Sequence, residues 1–400
     1  MAERVGFEPT NELPRCWFSR PVLSTAQPPL LIEKLNKLIL LLRKNNNNLI
    51  YFTNTSLNKY FMITNKMAKF LIKLFLVFNF LLYAGYLRAS EHNFKIWLEE
   101  FKSVAISEGV SENTINDTLK NVKFLPKVIE YDRYQPEFYE DTNTYISKRV
   151  NKRKVKKGLL LYSKEKKLIN KIEDKFLVEK ELLLALMGIE TNFGKYLGKM
   201  DILSSLATLS FDKRRSAFFT NELLTLLKLI DNKIIDKDIL FGSWAGAFGN
   251  FQFMPSTIKN YAIDYNNNTN IELKDIDDSF ASAANYINKI GWKTNSPCFF
   301  SIELNKNIPK KYLNTSARKL KNKRKVKYIK KFIKNPEDFS IYDNMYAAII
   351  TPDKDIVPGS NTLKPAYLVF NNYELILKWN RSLRFALAVC TLKDKFKDEI

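Results

Sequence analysis

The feature that most constrains this fold is an almost unbroken apolar run, Leu-Leu-Leu-Ala-Leu-Met-Gly-Ile, within residues Glu179–Ile189. A run of this length with no polar face is typical of a helix buried in a core. Glu190 follows directly. We therefore expect this carboxyl group to be partly desolvated, and desolvation raises the pKa of a carboxyl group, as a general acid requires. The alternative is that Glu190 only caps the helix or forms an ion pair there.

The chain beyond residue 90 predicts mainly helices. Helical spacing is found in these segments: Phe94–Lys102, a segment capped by Ser111, Thr142–Lys175, Phe218–Ile230, Ser256–Tyr265, Asp277–Ile290, Glu374–Asn380 and Leu383–Lys393. Strand patterns occur only late, at Tyr346–Thr351 and Ala366–Phe370, with a Pro/Gly-containing turn between them. The pattern predicts an α+β fold, mainly α, with a small antiparallel β element near the C-terminus.

The N-terminal region indicates export. Residues 1–66 show no sustained periodicity and predict a disordered or non-native leader. Met67 then opens a short basic stretch, and Leu74–Ala84 is an apolar run of signal-peptide length ahead of Ala89. We expect the true start near Met67, a signal peptide at residues 67–89 and a periplasmic protein; an uncleaved membrane anchor is the alternative. No Cys lies near the cleavage region, which argues against a lipid anchor.

The charge of the chain points to an anionic partner. The full sequence carries 64 Lys+Arg against 42 Asp+Glu, a charge of +22. Residues 90–400 alone keep 52 basic against 38 acidic residues, a charge of +14. Residues 306–334 hold 13 Lys/Arg and no acid, yet only two Tyr and one Phe, too few aromatics for a typical nucleic-acid surface. We expect this segment to be a solvated or polymer-facing insertion and no nucleic acid to bind.

Histidine and cysteine are scarce enough to exclude several kinds of site. The single His92 rules out a multi-histidine metal centre, and it would have to serve alone in any catalytic triad. A tuned carboxylate is therefore the expected agent of proton chemistry. Cys298 and Cys390 permit a disulfide in an oxidising compartment, with two buried thiols as the alternative.

Several motifs together resemble one family. In chain order they are Gly188-Ile-Glu-Thr-Asn-Phe-Gly194, Leu206-Ala-Thr-Leu-Ser-Phe211, Arg214-Arg215, Gly242-Ser-Trp-Ala-Gly-Ala-Phe-Gly-Asn-Phe-Gln-Phe-Met-Pro-Ser256, Ala284-Asn-Tyr286, Gly291-Trp292 and Trp379-Asn-Arg-Ser382. Their order and spacing resemble the lytic murein transglycosylases of the membrane-bound transglycosylase B type, in the lysozyme-like superfamily and glycoside hydrolase family 103. The resemblance spans most of residues 90–400.

The resemblance implies a division of the chain and a set of site residues. It implies an N-terminal helical part at 90–178, a lysozyme-like catalytic core at 179–295, and residues 296–400 with the basic insertion, the β element and the C-terminal helices. Glu190 would be the sole catalytic carboxylate, cleaving the MurNAc–GlcNAc bond of peptidoglycan and leaving a 1,6-anhydromuramoyl end. The substrate-binding residues implied are Ser243, Gln252, Tyr145, Arg214, Arg215, Tyr286 and Asn380. Phe385 stands where the family often has Tyr.

One loop has the spacing of an EF-hand-type cation site. Its candidate ligands, at positions 1, 3, 5, 7 and 12, are Asp264, Asn266, Asn268, Asn270 and Asp275. Thr269 occupies the position that prefers Gly, and Asn replaces Asp twice. We expect no required cofactor and, at most, a structural Ca²⁺ or Na⁺, with a degenerate Asn-rich loop as the alternative.

Two rival functions remain open at this level. A hydrolytic muramidase could use the same fold, because fold alone does not decide chemistry. A non-catalytic peptidoglycan-binding protein could also retain it. We expect peptidoglycan strands as the partner, a monomer, and leave peripheral membrane association open.

Overall fold

The computed structural model describes residues 72–75, 90–135, 140–237, 240–354 and 363–400. The described residues divide into a smaller unit, residues 72–75 and 90–100, and a larger unit formed by the described residues from 101 to 400. In the smaller unit residues 72–75 and 90–100 are helical. Apart from residues 72–75, the predicted leader and signal peptide lie outside the described residues. Within the described ranges, no helix is both long enough and apolar enough to span a bilayer.

The larger unit is mainly helical. Its helices are α1 (Glu112–Leu119), α2 (Pro126–Arg133), α3 (Thr142–Arg149), α4 (Lys152–Phe176), α5 (Lys180–Thr191), α6 (Ile202–Phe211), α7 (Ser216–Asp231), α8 (Pro255–Tyr261), α9 (Ile276–Lys289), α10 (Val326–Ile329), α11 (Asn371–Trp379) and α12 (Leu383–Lys397). Ser111 caps α1 as predicted, because its Oγ accepts the amide of Thr114 at 3.3 Å. The mainly helical prediction is confirmed.

One predicted helix is in fact two. The spacing of Thr142–Lys175 suggested a single helix, but α3 ends at Arg149 and α4 begins at Lys152. Val150 has extended backbone, and Asn151 caps α4 by accepting the amide of Lys154 on its side chain at 3.0 Å. A side-chain cap of this kind competes with helix continuation, and the apolar spacing does not reveal it.

Helix α5 lies at the centre of the larger unit, as its composition predicts. Every residue from Leu182 to Thr191 is buried. It packs against α12, and also against α4 and α9. Helix α12 is itself buried from Leu383 to Cys390. The last turn of α5, which carries Glu190, is therefore held from several sides.

A small sheet forms in the C-terminal third of the chain. Its strands are β3 (Phe299–Ile302), β4 (Leu313–Asn314), β5 (Arg324–Lys325), β6 (Tyr346–Ile350) and β7 (Ala366–Val369). The predicted pair β6 and β7 is antiparallel, with Ala348 opposite Val369. Strand β3 pairs antiparallel with β7, and β5 antiparallel with β6. Strand β4 pairs parallel with β6, so the element is mostly rather than wholly antiparallel.

A second, two-stranded sheet was not predicted. It pairs β1 (Met200–Asp201) with β2 (Phe241–Gly242), antiparallel. Two-residue strands leave no periodic signal in a sequence, and the same reason explains why β4 and β5 were missed.

The basic segment 306–334 is folded and forms part of a small core. Ile308, Val326, Ile329 and Ile333 are buried together with apolar residues of β3, β6 and β7. The side-chain amide of Asn314 donates to the carbonyls of Tyr312, Lys321 and Ile349. The segment therefore folds together with the five-stranded sheet. We call the described residues of 298–370 the sheet unit.

A disulfide links this unit to α12. Cys298, just before β3, is bonded to Cys390 in α12, with a Cα–Cα distance of 6.2 Å. The structure thus selects the disulfide over the alternative of two buried thiols. The bond closes 92 residues of chain.

Candidate active site

Glu190 lies in the last turn of α5 and is fully buried, with 0% exposure. Its Oε1 accepts the indole N–H of Trp379 at 3.0 Å. Trp379 is the last residue of α11 and is itself buried. An indole nitrogen can only donate, so this bond holds Oε1 as an acceptor whether or not the carboxyl is protonated. The position of one carboxyl oxygen is therefore fixed.

A stack of aromatic rings holds Trp379 in place. Tyr286 lies between Tyr261 and Trp379, with ring centroids 4.3 and 5.0 Å apart and planes within 22° and 21°. Its hydroxyl donates to the carbonyl of Lys378 at 3.2 Å. Phe253 and Phe251 meet the Trp379 ring edge-on. Tyr286, predicted to bind substrate, is thus placed directly behind the residue that contacts Glu190.

The end of α5 turns sharply after Glu190. Asn192, Phe193 and Gly194 all have left-handed backbone, with φ of 52°, 61° and 73°. Thr191 stabilises this turn by donating its hydroxyl to the carbonyl of Asn250 at 2.8 Å and accepting the amide of Gly194 at 2.9 Å. The catalytic candidate is therefore tied directly to the Gly242–Ser256 loop.

That loop presents Ser243 as a hydrogen-bond donor. Ser243 Oγ accepts the amides of Ala245 at 3.3 Å and Ala247 at 3.0 Å. Both lone pairs are then engaged, and the hydroxyl hydrogen has no acceptor among the described residues. Ser243 can therefore offer one O–H to a substrate acceptor.

Gln252, in contrast to Ser243, presents a hydrogen-bond acceptor. Its Nε2 donates to the carbonyls of Leu197 at 3.1 Å and Gly249 at 2.9 Å, which uses both amide hydrogens. Oε1 has no partner within the described part of the chain, so Gln252 can only accept from a ligand. Its backbone is left-handed, with φ of 50°, an uncommon conformation for a residue other than Gly.

Asn380 and Tyr145 come from two other elements. Asn380 caps α11, and no described residue hydrogen-bonds its side-chain amide, so it can both donate and accept. Tyr145 lies in α3 with only 2% exposure, and the guanidinium of Arg149 lies 3.5 Å from its ring centroid. Phe385 is buried in α12.

Arg214 and Arg215 are engaged by an internal carboxylate. Arg214 donates to the buried Asp132 through Nε at 2.7 Å, and to the Asp132 carbonyl at 2.6 Å. Arg215 also forms an ion pair with Asp132, and its guanidinium carbon lies 4.7 Å from the Phe219 ring centroid. Arg215 is thus mostly buried, whereas the Arg214 side chain is 40% exposed. Only Arg214 presents a substantial surface to an anionic ligand.

Lys154 is a cation near Glu190 that sequence reasoning did not single out. Its Nζ donates to the carbonyl of Gly188 at 2.7 Å. Gly188 lies in the last turn of α5, where carbonyls have no partner within the helix. Burial lowers the pKa of Lys154 to about 8, and repulsion from Arg149 and Lys157 adds to this, whereas the Glu190 carboxylate opposes it. Its position in a long basic run, residues 148–157, hid it from any sequence pattern.

The other buried carboxylates are all engaged elsewhere. Asp132 pairs with the two arginines, and Glu222 accepts the amide and hydroxyl of Ser256. The remaining three accept as follows: Glu179 from Trp292 and Asn295, Asp278 from the amides of Tyr265 and Glu272, and Asp353 from Thr142 and Arg384. Among the described residues, the buried acid that contacts predicted substrate residues is Asp132, through Arg214 and Arg215, and Glu190 is the buried acid that contacts Trp379 of the Trp379–Ser382 motif.

The EF-hand-type loop uses its ligand oxygens internally. Asp264 accepts the amides of Asn268 and Thr269, at 3.1 and 2.8 Å, and Asn266 Oδ1 accepts the Asn268 amide. Thr269 has φ of 76°, the conformation for which Gly is preferred. Burial, and then the charges of Glu272, Asp278 and Asp277, raise the pKa of Asp275. No cluster of three His, Cys, Asp or Glu side chains suited to a metal occurs in the described ranges.

Trp379 is the main site residue that the sequence did not assign. It belongs to a quoted motif, but a Trp that ends an apolar helix looks like a core residue. Only its position opposite Glu190, 189 residues away in the chain, reveals its contact.

Comparison with known proteins identifies the family of the chain. The Transglycosylase SLT domain profile matches residues 93–394. Membrane-bound lytic murein transglycosylase B of Escherichia coli K12 is 37% identical over 149 residues. That alignment covers 37% of this chain and 41% of the relative, so the chain matches about two fifths of the curated protein.

Solved structures show the same fold. SltB3 of Pseudomonas aeruginosa, in complex with NAG-NAM-pentapeptide, superposes with a TM-score of 0.66 at 28% identity, covering 76% of this chain and 79% of that one. Escherichia coli Slt35 in complex with calcium gives a TM-score of 0.62 at 23% identity, covering 76% and 93%. With the family profile spanning three quarters of the sequence, the chain belongs to the transglycosylase SLT domain family.

Proposed function

We propose that this protein is a lytic transglycosylase of peptidoglycan, with Glu190 as its single acid and base. The observation that carries the proposal is the fully buried Glu190 carboxyl, whose Oε1 is fixed by Trp379, at the end of a helix that Thr191 ties to the loop carrying Ser243 and Gln252. The relatives support the substrate class, since SltB3 of Pseudomonas aeruginosa was solved with NAG-NAM-pentapeptide.

The proposed reaction needs one proton and no water. Glu190 gives its proton to the glycosidic oxygen as the bond from that oxygen to C1 of the muramic acid breaks. The carboxylate then takes the proton of the 6-hydroxyl of the same sugar, whose oxygen forms the new bond to C1. Because this nucleophile is already held near C1, no second carboxylate is needed to activate water. Trp379 occupies Oε1, so we place the transferred proton on Oε2.

The hydrogen bonds already made by Ser243 and Gln252 suggest complementary roles toward a substrate. Ser243 can donate to a carbonyl, such as that of an acetamido group, and Gln252 can accept from an N–H or a hydroxyl. Asn380 can do both. A sugar carrying N-acetyl groups offers both kinds of partner.

Digestion of purified sacculi tests the reaction. We expect muropeptides ending in 1,6-anhydromuramic acid. Products one water heavier, ending in reducing muramic acid, would show a hydrolytic muramidase instead.

Glu190→Gln tests the assignment of the residue. We expect sacculus binding to persist and release of soluble muropeptides to fall by a factor on the order of a thousand or more, since proton transfer is lost at both steps. Glu222→Gln is the matched control, because it changes an equally buried carboxyl that contacts Ser256 in α8. Equal release by wild type and Glu190→Gln would indicate a non-catalytic wall-binding protein.

The envelope is the proposed location. The curated relative is named as membrane-bound, and a peptidoglycan substrate requires export. Fractionation of cells expressing the full chain, with an antibody against the larger unit, tests export and cleavage near Ala89. We propose a monomer, to be tested by sedimentation.

A structural cation remains a separate proposal. Slt35 was solved with calcium, and the loop Asp264–Asp275 of this chain has EF-hand spacing with Asn at two positions that favour Asp. Calorimetric titration of metal-free protein with Ca²⁺ should give a weak signal and a raised melting temperature. If Ca²⁺ gives neither heat nor a change in melting temperature, the loop binds no cation and the proposal fails.

A further inference from the structure

The sheet unit carries a surface with a strong excess of positive charge. The 13 cations of residues 306–334 meet no acid within the segment. Three of them pair with carboxylates from outside it: Lys323 with Glu374, Lys330 with Asp343 and Lys334 with Glu303. The other ten have no carboxylate partner among the described residues. The uncompensated charge is therefore concentrated on one folded unit rather than spread along a disordered tail.

Pairing of β5 with β6 brings cations and exposed aromatic rings together. Lys325 lies opposite Tyr346, which is 61% exposed. Tyr328, in α10 directly after β5, is 58% exposed, and the ammonium of Lys327 lies 5.2 Å from its ring centroid. We call Arg324, Lys325, Lys327, Tyr328 and Tyr346 the β5 surface.

The β5 surface is rigidly supported. Val326 lies between two of its cations and Ile329 follows Tyr328, and both belong to the core of the sheet unit, where they are 0% and 1% exposed. The amides of Val326 and Lys327 donate to the carbonyls of Met345 and Asp343, at 2.9 and 3.2 Å. Apolar residues inside and cations outside thus alternate along a fixed backbone.

We propose that the β5 surface is a second binding site for peptidoglycan, separate from the catalytic groove, which takes the stem-peptide carboxylates and the faces of the sugar rings. The proposal rests on the proposed function for the identity of the polymer. Lysine ammonium groups suit carboxylates spread along a flexible chain, and flat exposed tyrosines suit sugar faces. Such a site would raise the residence of the enzyme on insoluble wall without touching the reacting bond.

Two other anionic partners, a lipid bilayer and a nucleic acid, fit the β5 surface less well. A bilayer surface requires an exposed apolar face, but the apolar residues of α10 are buried in the core. Phosphate recognition in nucleic acids favours the bidentate geometry of Arg, whereas only Arg324 among the three cations of the β5 surface is an arginine.

Pelleting with intact sacculi tests the proposal, in a Glu190→Gln background so that the wall is not digested. Replacing Arg324, Lys325 and Lys327 by Gln should weaken binding roughly tenfold, because charge complementarity is lost. The control replaces Lys164, Lys166 and Lys167 of α4 by Gln, which removes the same charge from exposed positions outside the sheet unit. Equal binding by the two triple variants overturns the proposal.

Two further measurements keep the test independent of folding and of catalysis. Tyr346→Ser alters only an exposed side chain and should also weaken pelleting. Sacculi whose carboxylates have been amidated should bind wild type and the β5 triple variant equally. If the two triple variants instead differ only in binding to phosphatidylglycerol vesicles or to DNA, the β5 surface binds a different partner and the proposal fails.

Activity separates this proposal from the proposed function. With Glu190 intact, the β5 triple variant should cleave short soluble glycans at the wild-type rate and sacculi more slowly. Absence of cleavage by wild type would refute the proposed function while leaving the pelleting result interpretable.

Discussion

At the scale of single residues, the site depends on groups that hold Glu190 rather than on Glu190 alone. Trp379 fixes one oxygen, and Tyr286 and Tyr261 fix Trp379 through ring stacking. The sequence could nominate Glu190 because the family motif Gly188–Gly194 surrounds it, whereas its position after an apolar helix left a helix cap or an ion pair equally open. It could not nominate Trp379, because aromatic residues at helix ends are ordinarily packing residues.

Trp379→Phe removes the indole donor and keeps an aromatic ring in the stack. We expect turnover to fall about tenfold, the effect of losing one hydrogen bond of typical net strength at the reacting group. Binding of sacculi should be unchanged, and the pH profile of turnover should move upward, since an N–H donor favours the carboxylate. Initial rates across pH on soluble glycan measure this, and Phe253→Leu, a ring-edge neighbour without a donor, is the control. An unchanged pH profile would contradict a direct role for the indole.

Lys154 gives a prediction about stability. Its pKa is about 8 in the folded chain against an ordinary value of 10.5, because it is buried. Between these two pH values the unfolded chain holds one more proton than the folded chain, so this group makes the free energy of unfolding rise with pH in that window.

Comparison with Lys154→Met isolates this contribution. The stability of wild type relative to the variant should increase as pH rises from 8 towards 10.5, and should be constant below that range. Urea denaturation at several pH values measures it. A constant difference across the whole range would mean that Lys154 titrates normally.

At the scale of elements, the turn after α5 explains the glycines of the motif around Glu190. A Cβ on Gly188 would lie 2.8 Å from the Phe193 ring, and one on Gly158 in α4 would lie 2.9 Å from it. Phe193 itself has left-handed backbone and packs edge-on against Phe396 of α12. The glycines thus make room for a ring that fixes the end of the catalytic helix.

Gly188→Ala should therefore displace Phe193 and shift the last turn of α5. We expect a loss of about 1–3 kcal/mol in the free energy of unfolding, as for overpacking in a core, and a larger fractional loss of activity. Denaturant melts and sacculus turnover measure the two effects. A variant with wild-type stability and turnover would show that Phe193 can relocate freely.

Helices and strands were predictable where their hydrophobic pattern was long, and not where it was short. Helices α5, α7, α9 and α12 follow from sustained spacing, and β6 with β7 from two apolar runs. The break at Asn151 and the short strands β3, β4 and β5 depend on caps and on pairing across the sheet. Those interactions join residues distant in sequence, so no local window contains them.

At the scale of the whole molecule, the fold class followed from composition and periodicity, but the covalent link did not. Cys298 and Cys390 carry no spacing that distinguishes a disulfide from two thiols. Their pairing depends on where the sheet unit meets α12. The partner of Arg214 and Arg215 was equally hidden. Their charge is evident in the sequence, but Asp132, which binds both, lies more than 80 residues earlier in the chain.

Replacing both cysteines by Ser tests the contribution of that link. Closing 92 residues of chain gives a stabilisation of about 4.6 kcal/mol in the loop-entropy model. The double variant should therefore unfold at lower denaturant than wild type, and reducing agent should bring wild type close to the variant. Coincident unfolding curves without reductant would contradict the presence of the bond.

The contact between Trp379 and Glu190 also makes the site observable with light. An indole whose N–H is bonded to a carboxyl reports, through its emission, on the charge of that carboxyl and on any ligand that displaces it. Trp244 and Trp292 supply a background that Trp379→Phe would leave in place. The difference spectrum of the two proteins is therefore an intrinsic optical probe of the proton on Glu190, with no label to disturb the site.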